Sequence, residues 1–205
     1  MPELEIKNRI LQQAREHFFK FGFSKVTMSE IASELGMSKK TLYAYFPSKE
    51  DLMMASLRQM QEETSSVTEG IIADTTMDFW EKMNKLMGVV NAHHAKLDTW
   101  FLADLQKNLP SGWSFCNDFQ RDRMKKNTYD LIRQGVEQGV FRRDVNETVL
   151  VTMYIIIMQG MMTPEMLKQL PLSATQLYDE IMKVLFGGAL TNEGREKYLS
   201  QPLGK

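Results

Sequence analysis

Twenty residues near the N-terminus, from Thr27 to Phe46, read TMSEIASELGMSKKTLYAYF. Apolar residues recur at helical spacing on both sides of Gly36 in this stretch, which indicates two short helices separated by a turn. Thr27 and Glu30 have the spacing of a capping box, in which the hydroxyl accepts from the amide of the third helical residue and the carboxylate accepts from the amide of the cap. The pattern predicts a first short helix over about 28–34.

The second short helix has a start signal and a stop signal in the sequence. Ser38 is a favoured N-cap residue, and Pro47 cannot continue a helix. We therefore expect a helix from Ser38 through Phe46, followed by a new helix start in Ser48-Lys-Glu-Asp51.

The two faces of this second helix differ in chemistry. When Leu42 is set at zero and each residue advances by about 100°, Phe46 lies about 40° away, whereas Lys40, Tyr43 and Ala44 lie on the far side. Leu42 and Phe46 are predicted to be buried, and Lys40 and Tyr43 are predicted to project into solvent. A helix, a glycine turn and a second helix braced by a preceding helix form the layout of a helix-turn-helix DNA reader.

Charge supports a polyanionic partner for this part of the chain. The 205 residues carry 25 Lys and Arg against 26 Asp and Glu, a net charge of -1, but residues 36–49 contain Lys39, Lys40 and Lys49 and no acid. A single cysteine excludes an internal disulfide and favours a cytoplasmic location. The N-terminus lacks a signal stretch, and the apolar run 149–162 is too short to span about 30 Å of hydrocarbon.

Helical periodicity continues along the chain, so the expected fold class is all-α. The first helix is expected to stop at Gly22. We predict a helix-turn-helix domain over 1–48 and a second helical domain over 49–205. The helices expected in the second domain are 48–69, 77–97, 98–108, 111–138, 146–162 and 174–187.

The N-terminal residues resemble the DNA-binding domain of the tetracycline-repressor (TetR) family. The shared pattern covers about the first quarter of the chain and more than fifteen positions at fixed spacing. It includes Ile10, Leu11, Ala14, Phe18, Phe19, Gly22, Phe23, the run 26–28, Ile31, Ala32, the run 35–46 and the run 49–52. Two positions depart from the family: Lys40 stands where many members have glycine, and Tyr45 where many have histidine. Both keep a side chain that can bind phosphate or stack, so DNA binding is expected to stay intact while the operator preference changes.

The resemblance implies which residues bind DNA. Ser38, Lys39, Lys40, Thr41, Tyr43 and Tyr45 would present the recognition helix to the major groove, and Thr27 and Lys49 would contact phosphates. It also implies a homodimer that binds a palindromic operator, with recognition helices about 34 Å apart or a multiple of it.

The helix 148–162 is apolar on all sides, which indicates burial against both its own bundle and a second partner. By the resemblance, this helix and the helix from 173 to 186 pair with their two-fold mates. The predicted interface residues are Val149, Met153, Ile156, Ile157, Gly160, Leu177, Ile181, Val184 and Leu185. A buried central helix of a monomer is the alternative.

A small apolar effector is expected to bind between the helices from 77 to 138, because aromatic and soft apolar side chains gather there. The candidates are Trp80, Met83, Met87, His94, Trp100, Phe101, Trp113, Phe115 and Cys116. Ordinary core packing is the alternative for each of them. A redox role for Cys116 lacks a resolving cysteine, although Arg121 or Lys125 could lower the thiol pKa.

No cofactor or metal is expected, because His93 and His94 point about 100° apart on a helix and no Cys/His pair supports them. No catalytic motif is recognisable, so the chain is not expected to be an enzyme. By the resemblance, the predicted function of the 205 residues is that of a ligand-responsive transcriptional regulator, a repressor, with a helical ligand-binding and dimerisation domain over 49–205. The rival interpretation is a helical carrier of hydrophobic molecules whose basic corner is incidental.

Overall fold

The computed structural model describes residues 3–96 and 99–200. Over these residues the fold is all-α, as predicted, with one isolated antiparallel bridge between Phe141 and Leu190. The helices are α1 (Glu3–Phe21), α2 (Met28–Glu34), α3 (Lys39–Tyr45), α4 (Lys49–Ala73), α5 (Phe79–Lys96), α6 (Thr99–Asn108), α7 (Pro110–Glu137), α8 (Glu147–Met161), α9 (Pro164–Gln169), α10 (Ala174–Gly187) and α11 (Asn192–Ser200). Within the described ranges, no helix combines the length and apolar character needed to cross a bilayer.

Packing divides the chain into two compact units. The N-terminal unit combines Met1–Glu63 with Leu97–Cys116, and the C-terminal unit combines Thr64–Lys96 with Asn117–Lys205. The division runs through α4, and α6 packs in the N-terminal unit although it follows α5 in the chain. The assignment of DNA binding to 1–48 and of ligand binding and dimerisation to 49–205 stays a prediction.

The N-terminal unit follows the local signals of its sequence. Gly22 ends α1 with a φ of +90°, a left-handed conformation that glycine adopts without a Cβ clash. The capping box of Thr27 starts α2 at the predicted residue, and Ser38 caps α3. Leu42 and Phe46 are buried, as predicted, in one core with residues of α1.

The C-terminal unit is built around three aromatic rings. Phe79 and Phe141 meet edge to face with ring centroids 5.4 Å apart, and Phe141 lies 5.8 Å from Phe186. A Cβ at Gly135 would lie 2.5 Å from the Phe141 ring, so α7 passes this ring at a distance that only glycine allows. These contacts join α5, α7 and α10 into a single core.

The predicted helices of the C-terminal part are found with small differences at their ends, but the sequence pattern does not predict α9 and α11. Thr163 caps α9 with proline at its first position, and the Thr191 hydroxyl accepts from the Gly194 amide at the start of α11. Both helices are short and lack a long apolar repeat, so periodicity alone does not reveal them.

Candidate nucleic-acid interface

The outer face of α3 carries the side chains predicted to read DNA. Lys39, Lys40, Thr41 and Tyr43 are exposed, Tyr43 to 47%, and they share a short helix whose inner face buries Leu42 completely. Among the described residues, neither lysine has a carboxylate or carbonyl partner. Two free ammonium groups and an aromatic hydroxyl are therefore available on one surface.

Two predicted residues, Ser38 and Thr41, already bond to each other. The Thr41 amide donates to the Ser38 hydroxyl oxygen at 3.0 Å, and the two hydroxyl oxygens lie 2.9 Å apart. Tyr45 is half-buried and packs against the core of the N-terminal unit. These contacts hold α3 in place, and the Ser38 and Thr41 side chains remain exposed at its surface.

Thr27 is an exposed N-cap whose hydrogen bonds are occupied. Its amide and its hydroxyl both donate to Glu30 Oε2 at 2.8 Å, and the hydroxyl oxygen accepts from the Glu30 amide at 3.3 Å. These bonds hold the pKa of Glu30 below its ordinary value. A phosphate at Thr27 would therefore meet a carboxylate beside it, which weighs against a strong phosphate contact at this position.

Lys49, at the start of α4, contacts its own chain. Its Nζ donates to the Phe23 carbonyl oxygen at 2.9 Å and lies 4.4 Å from the centre of the Phe23 ring. The half-buried side chain thus ties the start of α4 to the connection between α1 and α2, and two of its three N–H bonds remain for another acceptor.

Lys7 is a candidate that the sequence did not indicate. Its Nζ lies 6.0 Å from the centre of the Phe46 ring, and Phe46 is the C-cap of α3. The exposed Lys7 side chain therefore lies near the C-terminal end of α3 although it belongs to α1. Local pattern reasoning could not find it, because the contact joins residues that are far apart in the sequence.

The bracing of α2 by α1 fixes the surface that the two short helices present. Arg9 donates to the Leu35 carbonyl oxygen at 2.8 Å, at the end of α2. Gln13 donates to the Glu34 carboxylate at 2.7 Å, and the His17 ring nitrogen lies 2.5 Å from the same carboxylate oxygen. Polar contacts from one face of α1 therefore hold α2 along its last turn.

The predicted effector residues fall in different units. Trp80 and Met83 are buried in the C-terminal unit. The others that are described belong to the N-terminal unit, with Phe101 fully buried, Trp100 exposed, and Trp113, Phe115 and Cys116 half-buried. The side chains of Met87 and His94 lie outside the described residues.

Burial raises the pKa of the Cys116 thiol to about 12. The expectation that a basic neighbour lowers this pKa is therefore wrong, because desolvation dominates at a half-buried site. Over the part of the chain that the structure describes, no three His, Cys, Asp or Glu side chains come together as a metal-binding group.

Trp80 and Met83 share a small cavity in the C-terminal unit, with a volume of about 10 Å³. The other lining residues are Phe79, Phe141, Met182, Phe186, Leu190 and Tyr198. Trp80 Nε1 is buried and has no hydrogen-bond acceptor within the described structure. The walls are thus apolar, and one of their residues carries an unused donor.

The predicted interface residues of α8 and α10 divide by exposure. Val149, Met153, Ile156 and Val184 are large apolar side chains exposed to between 48% and 79%, and Gly160 is exposed as well. In contrast, Leu177 and Ile181 are buried in the core of the C-terminal unit, and Ile157 and Leu185 are half-buried. The described unit therefore covers one face of α8 and leaves the opposite face open.

Comparison with known proteins agrees with this geometry. Residues 10–55 match the family described as bacterial regulatory proteins, tetR family. The HTH-type transcriptional regulator YvaF of Bacillus subtilis is 26% identical over 185 residues, which cover 90% of this chain and 96% of that protein. The HTH-type transcriptional repressor KstR2 of Mycobacterium tuberculosis is 25% identical over 193 residues, with 92% and 94% covered.

A solved transcriptional regulator from Cytophaga hutchinsonii has the same fold at 21% identity, with a TM-score of 0.71 over 93% of this chain and all of that chain. An exposed, capped α3 braced by α1 and α2 defines a helix-turn-helix DNA-binding protein. Residues 10–55 thus form a DNA-binding domain of the tetR type, and the relatives that match most of the chain are named transcriptional regulators rather than enzymes.

Proposed function

We propose that this protein is a cytoplasmic, ligand-responsive repressor that binds a palindromic operator as a homodimer. The observation that carries the proposal is the surface of α3, where Lys39, Lys40 and Tyr43 are exposed while Leu42 is buried in the core beneath. A repressing role is supported by KstR2, a relative that is named a repressor.

DNA contacts of two kinds follow from the positions of the candidate residues. Lys40 and Tyr43 project from α3 and are proposed to enter the major groove. Ser38 and Thr41, which are exposed, and Tyr45, which is half-buried, are assigned to the edge of the DNA-contacting surface of α3. Lys39 is proposed as a phosphate contact, and Thr27 and Lys49 as weaker ones, because their groups already bond within the chain.

Dimerisation is supported by the open face of α8. Val149, Met153, Ile156 and Gly160 are spaced at intervals of three and four residues, so they form one stripe along the helix. Val184 adds to it from α10, where it is 79% exposed. A second copy that offers the same stripe would remove these side chains from water, as a two-fold interface requires.

Leu177 and Ile181 take a different part in the proposed interface. Since both are buried within their own unit, they would support the contact surface from beneath, while the half-buried Ile157 and Leu185 lie at its margin. The two-fold symmetry of such a pair would match an operator with two related half-sites.

The cavity lined by Trp80 and Met83 is the proposed effector site of the C-terminal unit. Its walls favour an apolar molecule, and the unused Trp80 N–H favours one that carries a hydrogen-bond acceptor. Because the cavity has room for about one water molecule, such a ligand must widen it. An effector that binds the DNA-incompetent dimer more tightly would release the operator.

Mobility-shift assays on DNA flanking the protein's own gene test the proposal. The double variant Lys40→Ala/Tyr43→Ala is expected to lose specific binding while its helix content is unchanged, and Lys107→Ala, an exposed lysine of α6, serves as the control. Binding is expected to weaken steeply as salt rises, because phosphate counterions are released. A hydrophobe carrier would instead bind apolar probes with little response to salt and would shift no DNA.

A further inference from the structure

Ala44 lies on the face of α3 that points directly away from the core. The buried side of α3 is marked by Leu42 and Phe46, and its centre lies about 20° from Leu42. Ala44 lies about 200° from Leu42 and therefore directly opposite that centre. It is exposed, and Lys40, one turn earlier, lies about 40° from it on the same stripe.

The residue farthest from the core of a helix-turn-helix enters deepest when the helix docks in the major groove. At Ala44 the deepest point carries a single methyl group, so the backbone of α3 can approach the base edges closely. Thr41 and Tyr43 lie about 60° and about 100° away from Ala44 around the helix, toward the walls of the groove. Ala44 therefore has the most direct access to base edges of these residues.

The chemistry of these two side chains selects particular bases. An exposed methyl group offers only apolar contact, and the C5 methyl of thymine is its counterpart in the major groove. Lys40 has a free amine, and guanine offers two adjacent acceptors, O6 and N7. Four residues of helix advance by about 6 Å, which corresponds to roughly two base-pair steps.

We propose that Lys40 and Ala44 read a guanine and a thymine, about two base pairs apart, in each half of the operator. The proposal rests on the proposed function, because it names the bases that the same surface selects. Ala44 is thereby a specificity-determining residue, and it acts through the thymine methyl rather than through a hydrogen bond.

Deletion of one methyl group on each partner tests the thymine contact. The operator is first selected from random duplex DNA by the full-length protein, and each thymine is then replaced in turn by deoxyuridine, which lacks only the C5 methyl. Fluorescence anisotropy is expected to show about a fourfold loss of affinity at one thymine per half-site, the value of one buried methyl group. In Ala44→Gly the thymine-to-uracil ratio at that position is expected to fall to one.

Because the affinities for the thymine and uracil operators are compared within the same variant, any effect of glycine on the stability of α3 cancels from their ratio. Thr41→Ser is the matched control, because it removes a methyl from the same helix at a different angle and should keep the fourfold ratio. Ala44→Gln retains good helix propensity, and DNA reselected with it is expected to change at that one position, toward adenine.

The guanine contact has its own pair of variants. Substitution of 7-deazaguanine, which lacks the N7 acceptor, is expected to weaken the native protein at one guanine per half-site but to leave Lys40→Met unaffected. Lys39→Met is the control. Its DNA affinity should still fall on substitution of 7-deazaguanine, while the slope of the logarithm of affinity against the logarithm of salt concentration should shrink by about one.

Two outcomes overturn the inference separately from the proposed function. If the protein selects an operator but no thymine methyl is coupled to Ala44, or the sensitive guanine is not coupled to Lys40, the reading of the helix is wrong while DNA binding stands. If no duplex sequence is selected at all, the proposed function fails and the inference fails with it.

Discussion

The Asp104 carboxylate of α6 accepts a hydrogen bond from the backbone amide of Ser24, with an N···O distance of 3.0 Å. The contact joins α6 to the connection between α1 and α2, which leads into the helix-turn-helix. Gly22 makes it possible, because a Cβ at this position would lie 2.9 Å from Asp104 Oδ2 and 3.0 Å from the Trp100 ring. The absence of a Cβ at Gly22 therefore allows both the left-handed backbone at the end of α1 and the contact between α6 and the connection from α1 to α2.

Gly22→Ala is expected to destabilise the protein more than Gly36→Ala does. Both glycines have positive φ, so both variants incur about 1–2 kcal/mol of backbone strain. Only Gly22 has side chains in the way, whereas a Cβ at Gly36 meets nothing within 4 Å, and the clash adds about 1 kcal/mol or more. Urea unfolding measures both values, and equal losses would contradict the close approach at Gly22.

Asp104→Asn is expected to lower the free energy of unfolding by about 1 kcal/mol at neutral pH. Partial burial acts to raise the pKa of Asp104, but hydrogen bonds from Ser24 and Asn108 outweigh it, so the folded pKa lies below the ordinary value of 3.8. The carboxylate therefore stabilises the fold fully above about pH 4, and this contribution disappears as the pH falls through the lowered pKa.

Urea unfolding from pH 7 down to pH 2.5 checks the sign. The difference between the native protein and Asp104→Asn should be constant near neutral pH and should shrink below about pH 4. Asp118→Asn, a change of another exposed carboxylate, is the control for general charge effects. A difference that grows as the pH falls would show that the hydrogen bonds do not favour the ionised form.

The sequence predicts much of α2 and α3 because their signals are local. The cap at Thr27, the cap at Ser38 and the spacing of Leu42 and Phe46 each involve residues within one or two helical turns. Lys49 and Asp104 differ, since their partners lie 26 and 80 residues away and depend on how the helices pack. The positions of Leu177 and Ile181 could not be predicted for a similar reason. An apolar pattern does not tell which apolar residues pack into the core of the same unit and which face a partner.

Lys49→Met is expected to separate the two roles of this lysine. Loss of the hydrogen bond to the Phe23 carbonyl should lower the free energy of unfolding by about 1 kcal/mol. The dependence of DNA affinity on salt should change by less than it does in Lys39→Met, because the Lys49 amine is already engaged. Unchanged stability with a full unit lost from the salt slope would instead identify Lys49 as mainly a phosphate contact.

Met153→Asp is expected to convert the proposed dimer to monomer, because a charge would be placed in the centre of the open stripe of α8. Val67→Asp is the matched control: Val67 is an exposed apolar residue of α4 with 51% exposure, close to the 48% of Met153. Light scattering should show a monomer for the first variant and a dimer for the second. If both variants remained dimeric, the interface would have to lie elsewhere than on α8.

A matched pair of small ligands tests the cavity beside Trp80. Acetophenone and ethylbenzene have nearly the same shape, but only acetophenone carries an acceptor for the buried Trp80 N–H. Titration calorimetry is expected to show about fivefold tighter binding of acetophenone, the value of one hydrogen bond. Trp80→Phe keeps an aromatic wall and removes the donor, so the two compounds should then bind equally well.

Tyr198→Ala is expected to enlarge the cavity and so to make ligand binding easier to detect. The half-buried Tyr198 ring lines the cavity, and its centroid lies 6.3 Å from that of Trp80. Both compounds are expected to bind this variant more tightly than the native protein, while Trp113→Phe, in the N-terminal unit, should leave both affinities unchanged. If neither compound binds even Tyr198→Ala, the cavity is a packing defect that holds at most water. The effector must then be sought elsewhere in the chain.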